Sequence, residues 1–456
     1  MKKAIYNIVI CACTILLCSC DNWLDVKPSS NEEESEVYTT ETGFENALTG
    51  IYINMKSKQL YGERLTMGML EYMAQHWVAN STEITGFYSN YDYENAAVEV
   101  SVKEVYAGLY NVILNANNLL RFVDNGVLQG DKRNLIKGEA LGLRAFCHFD
   151  LLRLFGPIPG MQDGKKMLTY ARVVSKENLL VSNWDEYITL LKQDLDEAEA
   201  LLKGIDTKSH HDNFFNYRQN RMNYWAVLAL KARFYLWIQD YTKAKQYALQ
   251  VINGHWRSLC QKDDIVQSKD YIASKEHLFS LHVYNLKELT ELFIYRSAGV
   301  YMPERYVKKE LFASDVTDVR INTLWKQVTE TSRTRFVLMK YKQDDDILKS
   351  SAEQIPLIRL YEMYLIAIEC SDAPDEYKPW VNELLKARNV SQQVNVETQE
   401  GKKAFVATEY NKEFYGEGQQ FFQYKRRGDR NILWTNKEGT KSVYVLPIPK
   451  TEIKYQ

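Results

Sequence analysis

The sequence predicts a mostly α-helical protein in which helix pairs stack into one superhelical scaffold, interrupted by an irregular, loop-rich region with a few short strands. Apolar residues recur at three- and four-residue spacing over most of the chain. Alternating runs are short and confined to residues 253–355, and 9 Pro with 21 Gly in 456 residues exclude fibrous or low-complexity architectures. Lys and Arg (57) nearly balance Asp and Glu (59), so no basic surplus favours nucleic acid and no acidic excess marks a disordered tail. The 31 Tyr, 17 Phe and 9 Trp exceed what a helical core needs, so some rings are expected on display.

Lys2 and Lys3 precede an apolar stretch over residues 4–17 that is too short to span a bilayer, which predicts a signal peptide over residues 1–19. The stretch closes on Leu17-Cys18-Ser19-Cys20, which resembles a bacterial lipobox: a small residue before a cysteine whose thiol takes a diacylglycerol. Cys20 is therefore the expected lipid attachment; the competing reading is an ordinary secretory signal with Cys20 as one more apolar residue. Each buried acyl methylene contributes about 0.8 kcal/mol, so several chains on one cysteine hold a protein to a membrane essentially permanently. Cys147, Cys260 and Cys370 are too far apart in sequence for a disulfide framework or metal knuckle and read as small buried hydrophobes. Residues 20–42 are polar, with Glu32, Glu33, Glu34 and Glu36, and are expected to be an extended tether; residues 43–456 form one body.

Within the body, Val102, Val105, Tyr106, Leu109, Ile113, Ala116 and Leu120 mark one face of a helix over residues 101–122. Asn183, with Glu186 three residues on, caps a helix carrying Tyr187, Leu191, Leu195, Ala198 and Leu202. Over residues 222–252, small residues at Ala226, Ala229 and Ala232 and a break at Gln239-Asp240 predict two closely packed helices, similar to a tetratricopeptide unit. Further pairs are expected from residues 137–154 with 184–202 and from 357–370 with 375–388. Such pairs must stack, because none buries its own face. Residues 278–284 and 335–341 read as strands, and Asp344-Asp345-Asp346 as a solvated loop.

Four segments together resemble the SusD/RagB family of surface lipoproteins. They are Cys20-Asp21-Asn22-Trp23-Leu24-Asp25-Val26-Lys27-Pro28; Glu139-Ala140 with Leu143-Arg144-Ala145-Phe146 and the block from Phe149 through Arg153-Leu154-Phe155-Gly156-Pro157; Leu228-Ala229-Leu230-Lys231-Ala232-Arg233-Phe234-Tyr235-Leu236; and Glu409, Glu413-Phe414, Glu417-Gly418, Phe421-Phe422 before Leu446-Pro447-Ile448-Pro449. Gly416, Gln420 and Gln423 stand where the family usually has an apolar residue, an arginine and an aspartate, so an ion pair is expected to be missing. The resemblance implies an outer-membrane, lipid-anchored protein facing the cell exterior. Such a protein binds an oligosaccharide and delivers it to a SusC-like TonB-dependent transporter, without catalysis and without a cofactor or metal. A peptide ligand, or a surface glycoside hydrolase, is the alternative.

Flat rings beside amides suit sugars, because a ring offers apolar contact at low entropic cost. Trp77, Asn80, Tyr88, Tyr91 and Tyr93 lie in an aperiodic stretch where family members place ligand contacts, so Trp77→Ala is expected to weaken glycan binding with little effect on stability. Tyr284, Tyr295, Tyr301 and Trp325 in the irregular middle are further candidates, whereas Trp225, Trp237 and Tyr247 fall on helical stripes and are expected in the core. No HExxH, P-loop, GxSxG or GxGxxG recommends an enzyme, and His210-His211 reads as a polar loop.

Overall fold

The structure, a computed structural model, describes residues 35–206, 208, 210–296, 300–330, 333–343, 347 and 352–453. The signal peptide, Cys20, most of the tether and the acidic triplet lie outside the described residues. The packed body begins before residue 43: Tyr38 is buried and stacks on Phe122 at 4.8 Å. Helix α1, Glu41–Met55, starts where Thr40 Oγ1 accepts from Gly43 N–H. Then come α2, Ala96–Phe122; α3, Gly130–Phe155; α4, Trp184–Leu202; α5, Tyr224–Trp237; and α6, Tyr241–Asn253. After the irregular region come α7, Leu360–Glu369; α8, Pro374–Ala387; α9, Gln399–Glu413; and α10, Gln420–Arg427. The expected pairs form: α3 packs on α4, α5 on α6, α7 on α8, and α6 joins α7 across the irregular region.

Local sequence explains the helix starts. Asn183 and Glu186 complete the reciprocal cap predicted for α4, with bonds of 3.0 and 2.9 Å. Helix α2 begins five residues earlier than its apolar stripe suggested, because Asn95 caps it by accepting from Ala97 N–H. Asn223 caps α5 and also donates to the Leu278 carbonyl at 2.7 Å, fixing that helix against a strand. Gly138 and Gly142 let α3 meet its neighbours: a Cβ there would fall 2.7 Å from Leu202 and 2.6 Å from Met222.

From Gly138 to Phe155 every residue of α3 is buried, so its charges require partners. Arg144 grips Asp194 with two bonds of 2.7 Å; Asp150 accepts from Tyr61 and Arg153; Glu139 accepts from Tyr52, Arg218 and Arg221. The internal block that carries the family resemblance is thus the axle of the scaffold. His148, buried between Tyr170 and Tyr187, is pushed down to about 3 by its burial.

Among the described residues, three short antiparallel pairs accompany the helices: β1, Leu168–Thr169, with β2, Val181–Ser182; β3, His277–His282, with β6, Gln354–Arg359; and β4, Trp325–Glu330, with β5, Arg333–Leu338. Residues 357–359, expected at the head of a helix, instead close β6 because they pair with β3. The C-terminal signature is a buried charge lattice. Glu413 accepts from Arg388 at 2.7 and 2.8 Å and from Arg359 at 2.6 Å, Glu409 from Arg320 at 2.7 Å, and Glu417 from Arg359 and Lys340, both at 2.8 Å. Burial opposes the charge on Glu413, yet Arg388, Arg359 and Arg320 overcome it and hold the carboxyl well below the usual carboxylate range. Gly416, at φ 80°, occupies a conformation that an apolar side chain would strain. Gln423 accepts from Arg426, which pairs with Glu369 at 2.8 Å instead.

Candidate functional site

The two stretches nominated for ligand contact meet in space: Val78 N–H donates to the Tyr301 carbonyl at 3.0 Å, and the Trp77 and Trp325 rings lie 6.5 Å apart. Their large rings, however, form core rather than display. Trp77 is 2% exposed, donates from Nε1 to the Met67 carbonyl at 2.9 Å and meets Tyr415 edge-on at 5.1 Å. Trp325, in β4, stacks on Phe336 at 5.3 Å. Tyr88 and Tyr91 are buried, their hydroxyls donating to Ser101 Oγ and the Met73 carbonyl, and Tyr295 is buried under Lys342. Burial pushes the phenols of Tyr88 and Tyr91 up. The physical reason is common to all: an aperiodic stretch wrapped onto a core turns its rings inward, where they bury the most apolar area.

Other nominated groups stay near the surface. Asn80 is exposed and closes a turn by accepting from Thr82; Tyr301 and Tyr93 are half-buried, Tyr93 donating to the Val443 carbonyl. Tyr284 stands apart at the end of β3, 69% exposed.

The buried rings continue outward as a seam. From Trp325 and Trp77 it passes through Tyr415 to His76, stacked at 4.0 Å, then to Trp434 at 6.5 Å and Tyr306 at 5.5 Å. Trp434 and Tyr306, both half-buried, were missed by the sequence reading. Trp434 sits at φ 62°, an outlier for so bulky a residue, and its Nε1 donates to Glu310 at 2.9 Å. Beside it lies a pocket of about 410 Å³ lined by Glu310, Asn411, Arg427, Asp429, Asn431 and Trp434. Arg427 pairs with Asp429 at 2.7 Å, so two of its charges cancel. Asn411 ties the pocket to the early stretch through a 3.1 Å bond between Oδ1 and the His76 ring. Glu71 braces His76 from its other side, accepting from its ring and from the N–H groups of Gly416 and Gly418. Ring, amide and carboxylate at one mouth can contact both the C–H face and the hydroxyls of a sugar.

Among the described residues, no cluster of three or more His, Cys, Asp or Glu is placed to hold a metal ion. None of the described helices is long and apolar enough to cross a membrane. Cys147 and Cys260 are buried and Cys370 half-buried, all free.

Residues 22–236 match the SusD-like family described as "Starch-binding associating with outer membrane", and residues 224–444 match the one described as "SusD family". A SusD-like protein P25 of Formosa agariphila is 24% identical over 263 residues, 56% of this chain and 47% of that protein. The chain spans about half the length of the curated relatives it matches. Among solved structures, a SusD superfamily protein from Bacteroides thetaiotaomicron superposes with a TM-score of 0.72 at 23% identity, covering 91% of this chain and 98% of that one. A SusD-like carbohydrate binding protein from Bacteroides vulgatus gives 0.73 at 17% identity, covering 91% and 96%.

Proposed function

The chain belongs to the SusD/RagB family, and from that premise we propose that it is a lipoprotein of the outer-membrane surface that captures an extracellular oligosaccharide and passes it to a SusC-like TonB-dependent transporter. It binds and does not cleave. One observation carries the ligand class: the aromatic seam that starts at Trp77 ends at the surface on Trp434 and Tyr306, beside a polar pocket lined by the amides of Asn411 and Asn431 and the carboxylates of Glu310 and Asp429. Stacking of a sugar's C–H face on the Trp434 ring and hydrogen bonds to Asn431 and Glu310 give orientation, while Asn411, bonded to the His76 ring and the Ala407 carbonyl, holds the wall in place. A lipid on Cys20 keeps the body at the membrane surface, beside a barrel partner.

The test is native electrophoresis of the purified mature chain through gels containing laminarin, amylose, xylan or galactan. Retardation by at least one polymer, weakened by Trp434→Ala, is the expected outcome, with no new reducing ends after long incubation. Saturable release of reducing sugar would make the protein a hydrolase, and full retardation of the Trp434 variant would move the site elsewhere.

A further inference from the structure

A larger cleft shares no lining residue with the pocket beside Trp434. It has a volume of about 730 Å³ and is walled by α1, by residues 213–221 and by the ends of β3 and β6. That size suits a small ligand or a few units of a chain.

Two tyrosines stand at this cleft with their rings in solvent. Tyr217 lines it and is 75% exposed; Tyr284 is 69% exposed and meets Lys56, a lining residue, with Nζ 5.1 Å from its ring centroid. Tyr217 holds φ at 52°, a left-handed conformation that strains the backbone of a bulky residue. Neither a ring partner nor a hydroxyl hydrogen bond among the described residues offsets that strain for Tyr217.

The wall beneath is rich in amides. Asn216 Nδ2 donates to Asn213 Oδ1 at 3.1 Å, which leaves Asn213 Nδ2 and Asn216 Oδ1 uncommitted within the described protein. Asn220 Oδ1 accepts from Ser280 at 2.8 Å, leaving its NH₂ group, and Gln219 makes no side-chain bond to the described protein. The floor is rigid: Tyr52 donates to Glu139 at 2.6 Å and accepts from Met222 N–H at 2.9 Å, and the Arg221 guanidinium lies 4.0 Å from the Phe214 ring centroid. The charged groups at the mouth are largely spoken for, His282 lying 3.6 Å from Glu353 and Lys56 over Tyr284. Displayed rings with free amide donors and acceptors, over a preorganised base, match an uncharged polyhydroxylated chain.

We propose that the cleft between α1 and residues 213–221 is a second glycan-binding site, in which Tyr217 and Tyr284 stack on sugar rings and Asn213, Asn216, Gln219 and Asn220 bind their hydroxyls. It shares its ligand class with the proposed function and rests on that reading, but it uses a different site. Two sites on one tethered body raise retention on a polymer through effective concentration.

The experiment runs the full mature chain, Tyr217→Ala/Tyr284→Ala, Trp434→Ala and the triple variant through the same four polysaccharide gels, with thermal melts alongside. Both tyrosines are mostly exposed, so the double variant should melt within about 1 °C of the parent. The expected result is at least a tenfold weakening of retardation in the double variant on a polymer the parent binds, and complete loss in the triple variant. Unchanged retardation of the double variant would overturn the second site while leaving the proposed function standing. Absence of retardation of the parent on every polymer would overturn both. Binding of tryptic casein peptides that depends on Tyr217 and Tyr284, with no polysaccharide bound there, would make the cleft a peptide groove and equally end the proposal.

Discussion

Trp77→Ala separates core from display most sharply. The ring is 2% exposed, its Nε1 donates to the Met67 carbonyl, and Tyr415 and Trp325 pack against it. A buried indole removes roughly 150–250 Å² from water, worth about 4–6 kcal/mol at about 25 cal/mol per Å². Measured aromatic-to-alanine changes in cores give about 3–5 kcal/mol, so the two routes agree. With an unfolding entropy of about 2.1 cal/mol/K per residue over roughly 400 folded residues, each kcal/mol moves the melting temperature by about 1.2 °C. The variant should therefore melt about 4–7 °C below the parent in a calorimetric scan of the mature chain, and Tyr217→Ala should barely shift. A Trp77→Ala protein that melts within about 1 °C of the parent but loses glycan retention would refute this reasoning, since only a displayed ring behaves so.

The buried lattice gives the next expectations. Glu413→Gln leaves Arg388, Arg359 and Arg320 short of a carboxylate and should destabilise by about 3–5 kcal/mol, read as a fall in urea midpoint; a change below about 1 kcal/mol would show that the arginines re-pair without it. Acid should also weaken the fold. Glu413, Glu409 and Glu139 have folded values depressed below their unfolded ones, so their stabilisation is present above roughly pH 4.5 and is lost as pH falls further. His148, pushed down to about 3, adds a loss that begins as pH drops below roughly 6.5. Glu276 acts in the opposite sense, since burial raises it despite Arg388 and Arg359. A melting temperature flat between pH 7 and 4 would contradict the balance drawn here. Cys20→Ala should move the protein from the membrane pellet to the soluble fraction, and retention in the pellet would refute the lipid anchor.

What the sequence made legible follows from what periodicity can report. A 3.6-residue stripe names the buried face of α2 or α4 because one side of each helix touches water. In α3, buried all round from Gly138 onward, no single stripe exists: a helix over residues 137–154 was expected as one half of a helix pair, but its charges had no visible role until Asp194, Tyr61 and Arg221 arrived from distant segments. The same limit explains the site. Trp77 and Trp434 both lie in aperiodic stretches, and nothing local distinguishes a ring folded under from a ring left at the surface. That difference is decided by partners such as Tyr415 and Glu310, more than a hundred residues away in sequence. Tyr217 sits among the amides Asn213, Asn216, Gln219 and Asn220, but Phe214 and Phe215 separate it from the polar run His210-His211-Asp212-Asn213, so its exposure was no more legible locally. Phe214, three residues before it, lies with its ring centroid 4.0 Å from the Arg221 guanidinium, and the Tyr217 ring stays 75% exposed. Its left-handed backbone then points the same way as its exposure: the fold tolerates a strained, solvated ring there, which is the condition expected of a residue kept for a ligand.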